Sequence, residues 1–184
     1  MPDQALIVTD RLLIRRFEPT DGPGLYSYLS RPEAVAFEPY PVQSREQCET
    51  EARRRAGNPD FFAVCLAGSG DLVGNLYFHA EPPPGRGRYE LGYVFHPDRW
   101  GHGYATEAVS ALLATASGQW GARLVVAHCD PVNTASWRLL ERVGFTRVEP
   151  VRGAASFTTD DFGAPQWHDA YRYELAVGDA VSSG

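Results

Sequence analysis

Apolar and polar positions along the chain alternate in some stretches and recur with helical spacing in others. Arg11-Leu12-Leu13-Ile14-Arg15-Arg16-Phe17 reads as a strand, Pro19-Thr20-Asp21-Gly22 as a turn and residues 24–29 as a short helix. Ser44 stands three before Gln47, the spacing of a capping box, and predicts a helix to about Ala56 that Gly57-Asn58-Pro59 ends. Residues 61–66 and 72–79 read as strands joined by the turn Gly68-Ser69-Gly70-Asp71. Residues 89–95 form a further predicted strand, in which Glu90, Gly92 and Val94 share one face. Ala105, Ala108, Val109, Leu112, Leu113 and Ala116 then recur at helical spacing. Residues 122–128 read as a strand. Asn133 caps a helix to about Val143, and Gly144 ends it. Residues 145–148 and 171–177 are the last predicted strands. The order of elements predicts one mixed α/β domain over residues 9–177, with short tails at 1–8 and 178–184.

Composition narrows the class. The chain has 184 residues, 43% hydrophobic and 22% charged, which suits one packed core and excludes extended disorder, collagen and coiled coil. No apolar run approaches the ~20 residues of a membrane helix. The start, MPDQALIVTDR, lacks the basic and apolar blocks of a signal peptide. The net charge of −6 argues against a nucleic-acid partner. All 17 basic residues are Arg, so every lysine mechanism is absent. Cys48, Cys65 and Cys129 are three and widely spaced, which fits buried thiols in a reducing cytoplasm rather than disulfides or zinc. His79, His96, His102, His128 and His168 show no metal spacing, so no metal is expected. His128-Cys129-Asp130 suggests a thiol–imidazole pair, but neighbours on a strand point to opposite faces.

The chemistry concentrates where a strand passes through Trp100-Gly101-His102-Gly103-Tyr104-Ala105 into a helix. The first helical N–H groups have no internal partner, and the helix dipole adds partial positive charge there. Two glycines let the backbone come close to a ligand. Spacing alone leaves two readings, a phosphate cradle or a tight structural turn. A phosphate-loop NTPase would need GxxxxGK[ST], and there is no lysine. A dinucleotide fingerprint would need Gly or Ala where Thr106 stands.

Residue identity goes further. Glu90-Leu91-Gly92-Tyr93, His96-Pro97 and Trp100-Gly101-His102-Gly103-Tyr104-Ala105-Thr106-Glu107-Ala108 resemble motif A of the GNAT superfamily of N-acetyltransferases. Trp100 departs from the Gln or Arg that opens its Gln/Arg-x-x-Gly-x-Gly/Ala pattern. Asn133-x-x-Ser136-x-x-Leu139-Leu140-Glu141-Arg142-x-Gly144-Phe145 resembles motif B of the RimJ/RimL-like branch, which includes enzymes that acetylate ribosomal-protein N-termini. Thr9-Asp10-Arg11-Leu12-Leu13-Ile14-Arg15 is similar to that branch's first strand, and Trp167-x-Asp169 with Tyr171 to its last.

The resemblance implies a single GNAT domain: a mixed, twisted sheet of six or seven strands with about four helices. It implies acetyl-CoA as cosubstrate, seated where two central parallel strands splay apart. Pantetheine would lie on the backbone of Tyr93, Val94 and Phe95. The pyrophosphate would lie on Trp100, Gly101, His102, Gly103, Tyr104, Ala105 and Thr106. Asn133 would touch the cofactor as well as cap its helix. Arg138, with Arg142 four residues on, would meet the 3′-phosphate or lie on a solvated face. Glu90 would be the base, through water, with burial expected to raise its pKa; its alternative is a solvated strand glutamate. Many relatives protonate the leaving thiolate with a tyrosine seven after the Asn; here that position is Leu140. Ser136 would serve instead as a hydrogen-bond donor, unless it bonds only to backbone. Phe37, Glu38, Tyr40 and Trp167 would line the amine pocket. The acceptor would be a protein N-terminus, or an amino acid, polyamine or amine-bearing antibiotic. Relatives often dimerise, so a homodimer is among the expected partners. A non-catalytic CoA-binding module and a nucleotide-binding protein are the rival readings.

Overall fold

Alternation on β2 (Leu12–Arg16) and β3 (Phe61–Leu66) sorts side chains to two faces of one sheet. Leu12, Ile14, Phe62 and Val64 join one core cluster, and Ala63 and Cys65 the other. The computed structural model describes residues 5–148, 151–159 and 165–178, with side chains for residues 6–148 and 170–178. Before β2 stands β1 (Ala5–Val8); after β3 come β4 (Leu72–Ala80), β5 (Arg88–Phe95), β6 (Leu124–Cys129), β7 (Thr146–Arg147), β8 (Val151–Thr159) and β9 (Pro165–Ala176). The sheet runs β1-β2-β3-β4-β5-β6-β9-β7, with β8 paired to β9.

Five helices cover the sheet: α1 (Gly22–Leu29), α2 (Pro32–Val35), α3 (Arg45–Ala56), α4 (Tyr104–Gln119) and α5 (Thr134–Arg142). Ala108, Val109, Leu112, Leu113 and Ala116 of α4 are all buried, the face the period predicts. Leu139 and Leu140 of α5 join the same cluster. On the other face, Leu25, Tyr28 and Leu29 of α1 pack with Cys48 and Ala52 of α3. The capping box at Ser44 is present: its hydroxyl accepts from Gln47 N, and the Gln47 side chain accepts from Ser44 N. All three cysteines are reduced and buried.

Among the described residues, nine strands stand where six or seven were expected, and five α-helices where about four were. β1 lies ahead of the expected boundary at residue 9 and is held by β2. β8 (VRGAASFTT), which was not expected, carries a strand-like alternation of Val151, Ala155 and Phe157 with Arg152, Ser156 and Thr158, diluted by Gly153 and Ala154, and it pairs with the long β9, which starts at Pro165 rather than 171. α2 is one turn, with Pro32 at its start.

β4–β5 is antiparallel and β5–β6 is parallel, with α4 as the crossover. The β5–β6 register runs from Arg88↔Leu124 to Leu91↔Ala127 and stops, although both strands continue.

Leu112 is fully buried at the centre of α4. Leu112→Ala is expected to cost about 3 kcal/mol, within the ~2–5 kcal/mol of such core truncations. Urea denaturation should show this as a lower midpoint with an unchanged slope.

Candidate active site

Where the β5–β6 ladder ends, a cavity of about 1010 Å³ opens. β5 supplies Glu90, Tyr93, Val94 and Phe95 to its wall. Asn133 and Ser136 come from the start of α5, and Phe37, Glu38 and Tyr40 from the chain between α2 and α3. Trp100 and Ala105 mark the side toward α4.

The turn into α4 is shaped by Gly101 (φ 77°) and Gly103 (φ 81°), both left-handed and so costly for any other residue. The first bond of the helix is Glu107 N to Gly103 O, which leaves the N–H groups of Tyr104, Ala105 and Thr106 without helical partners. A side chain at Gly101 would meet no atom within 4 Å, so this stretch of backbone is open. Glu107 does not put its charge into that opening. Its carboxylate accepts from Thr9 Oγ1 at 2.6 Å and Arg11 Nε at 2.7 Å, and Arg11 Nη1 reaches His102 O at 2.9 Å. This brace ties the glycine turn to the β1–β2 turn.

On α5, Asn133 Oδ1 accepts from Ser136 N at 3.1 Å, the cap that the sequence predicts. The Tyr93 hydroxyl lies 2.9 Å from Ser136 Oγ and 3.2 Å from Ser136 O. Burial drives the Tyr93 phenol far above its ordinary range, so it stays protonated.

On the opposite face, Glu90 Oε1 lies 3.4 Å from His128 Nδ1. Hydrogen bonding to His128 holds Glu90 below the usual carboxylate range, overriding burial. Glu38 behaves oppositely: burial pushes it up to about 7, against the pull of the Tyr40 hydroxyl and the Arg55 guanidinium.

A splayed parallel pair, an open glycine turn and uncapped helical N–H groups fit the pantetheine and pyrophosphate of a CoA thioester. Residues 11–146 match the family model described as Acetyltransferase (GNAT) domain.

The chain belongs to the GNAT acetyltransferase family.

The uncharacterized N-acetyltransferase YnaD of Bacillus subtilis (strain 168) is 32% identical over 142 residues, covering 77% of this chain and 82% of its own. A GNAT-family acetyltransferase structure from Bacillus anthracis is 30% identical, with a TM-score of 0.82 over 92% of this chain and 97% of its own. RimL, the ribosomal L7/L12 alpha-N-protein acetyltransferase solved with coenzyme A, shares the fold at 19% identity and a TM-score of 0.78, over 95% of this chain and 98% of its own.

The acetyltransferase gathers most of the expected site. Glu90, Tyr93, Val94, Phe95, Trp100, Ala105, Asn133, Ser136, Phe37, Glu38 and Tyr40 all line the cavity. Gly101, His102, Gly103, Tyr104 and Thr106 form the adjoining turn and helix start, with the His102 ring stacked on Tyr104 at 5.7 Å. Trp167 sits in β9 opposite Ser156, and its side chain lies outside the described residues. Arg138 is exposed and stacks on Trp137 at 5.4 Å, outside the cavity lining, while Arg142 reaches Thr106 at 3.4 Å. One expectation is corrected. The pKa of Glu90 is lowered, not raised, because His128 donates to it.

Sequence reasoning missed His128, the Tyr93 side chain and Arg11. Each acts through a residue far away in the chain, and no local period marks such a pair.

Two outcomes follow for the acetyltransferase. Arg11→Ala should weaken CoA binding roughly 10-fold by calorimetry, equivalent to ~1.4 kcal/mol, because the glycine turn loses its anchor. Glu38 holds its proton to about pH 7 when folded but releases it near 4.3 when unfolded, so it lowers stability progressively across that interval as pH rises. Glu38→Gln should flatten the fall in Tm between pH 4.5 and 7.5, read by thermal melts.

Proposed function

We propose that this acetyltransferase moves acetyl from acetyl-CoA to a primary amine, foremost the N-terminal amine of a protein or peptide, within a ternary complex. Acetyl-CoA supplies a thioester that the neutral amine attacks directly and a sulfur that leaves as thiolate. The observation that carries the reading is the Tyr93–Ser136 hydroxyl pair sharing one cavity with the Glu90–His128 pair.

An N-terminal amine, with a pKa near 8, must shed a proton before it attacks. Glu90 stays ionised and holds His128 through Nδ1, so the two together draw and accept that proton, directly or through water. The Tyr93 hydroxyl, 2.9 Å from Ser136 Oγ, can donate to it, and in that arrangement the single Ser136 hydrogen is free to turn toward the departing sulfur. A hydroxyl is far less acidic than a thiol, so Ser136 stabilises the thiolate by hydrogen bonding rather than by full proton transfer. In this way Ser136 and Tyr93 cover the role that Leu140 leaves vacant. The backbone of Gly101–Thr106 would hold the pyrophosphate.

The protein N-terminus is supported by the motif B resemblance and by a fold shared with ribosomal-protein acetyltransferases. A small-molecule amine is the second reading, favoured by an acceptor end walled by Glu38, Tyr40 and α3.

Thermal-shift scans should stabilise the protein with acetyl-CoA and CoA by ~2.7 kcal/mol at 100-fold saturation, and not with ATP or NAD. Glu90→Gln and Ser136→Ala should each lower turnover at least ~100-fold while CoA still binds. Tyr93→Phe combined with Ser136→Ala should be no slower than Ser136→Ala alone, the mark of two residues acting as one. Full turnover in both Glu90→Gln and Ser136→Ala would overturn these two roles and leave acetyl transfer standing; CoA binding with no turnover on any amine would make the protein a non-catalytic CoA-binding module.

A further inference from the structure

The acceptor end of the cavity holds two guanidinium groups, one of them buried. Arg54 and Arg55 lie on the last turn of α3, and both line the cavity. They share one carboxylate. Glu51 accepts from Arg54 Nε at 2.7 Å and Nη2 at 2.6 Å, and from Arg55 Nε at 2.7 Å. Burial pushes Glu51 up, but these bonds hold it below the ordinary carboxylate range, so it stays charged. One anion therefore serves two guanidinium groups, and the trio keeps a net positive charge.

Arg55 carries the surplus in a dry setting. It is 3% exposed and lies against the rings of Phe61 at 4.8 Å and Phe17 at 5.4 Å. Its Nη1 is buried and, among the described residues, has no hydrogen-bond partner. Among the described residues, Glu51 is the one carboxylate within ion-pair distance of it. A buried, unpaired guanidinium nitrogen is costly, and natural interiors seldom leave one without reason. Planar guanidinium groups select carboxylates, which they bind through paired N–H donors.

We propose that Arg55 is a carboxylate subsite, so that the preferred acceptor is an amine that also bears a carboxylate. The amino group is drawn toward Glu90 and the carboxylate toward Arg55. This deepens the acetyl-transfer reading and rests on it. Glu38 supports the assignment: with its proton retained to about pH 7, it can donate to an incoming carboxylate instead of repelling it. The carboxylate can belong to a free amino acid or to an acidic side chain next to a peptide's N-terminus.

The test measures thiol release from acetyl-CoA by the full chain, with acceptors in matched pairs. One pair is alanine against alaninamide. The other is an alanine-initiated peptide amide with glutamate, or glutamine, in second place. The expected result is a kcat/KM at least ~10-fold higher for the carboxylate member of one pair. The pair that shows it identifies the source. Arg55→Gln should bring that ratio to about one, and Arg55→Lys should restore part of it. If Arg55→Gln does not fold, inhibition of the unaltered protein by propionate against propionamide decides: propionate should compete with the acceptor and propionamide should not. Equal rates within both pairs, or a ratio that Arg55→Gln leaves intact, would overturn the subsite and leave acetyl transfer standing. No thiol release with any acceptor, while CoA still shifts the melting temperature, would overturn both.

Discussion

Everything functional in this protein depends on β5 and β6 parting after four paired residues. The parting is enforced from outside. β5 stays paired to β4 through Phe95, and β6 stays paired to β9 through Cys129. Each strand is held by its outer neighbour while the inner ladder opens beyond Leu91 and Ala127. Two strand edges then face each other across a gap with part of their backbone hydrogen-bonding capacity unspent, in a place where unmet polar groups are costly. A flexible, amide-bearing ligand arm is the chemical complement of such a gap. The opening is thus as much a product of sheet topology as the core is.

Charge around the cavity follows a consistent plan. Carboxylates that would oppose an anionic cosubstrate are committed elsewhere: Glu107 to Thr9 and Arg11, Glu51 to Arg54 and Arg55. Glu90 remains at the cavity, kept ionised by His128. Glu38 is the exception, held near neutrality by burial. The two glutamates are of one residue type, and their different surroundings set different protonation states in the same cavity, one bonded to an imidazole and the other desolvated.

Much of the fold was legible because its signals are local. The period of α4, the Ser44 capping box, the Asn133 cap and the alternation of β2 and β3 each lie within one segment. What escaped depends on partners. β8 carries only a weak alternation of small residues and pairs with β9, and β1 is four residues long and pairs with β2. In the site, Glu90, Ser136 and the glycine turn were visible as residue types at motif spacing. The Tyr93–Ser136 contact spans 43 residues of sequence, and the Glu90–His128 contact 38. The expectation for Glu90 failed for that reason: burial was visible in the strand pattern, while the imidazole that reverses its effect was not.

Glu90 lies on the α1–α3 side of the sheet with Val94, whereas Tyr93 turns to the α5 side with Leu91 and Phe95. The sheet is therefore a partition with a slot in it. Under the proposed chemistry, the acetyl group alone crosses the slot, and neither substrate needs the other's doorway to enter or leave. The walls are also separate stretches of chain, with residues 22–61 mainly on one side and 93–142 on the other. Substitutions that reshape the acceptor wall can accumulate without disturbing the thioester wall, so a lineage built on this plan can change what it acetylates while keeping how it acetylates.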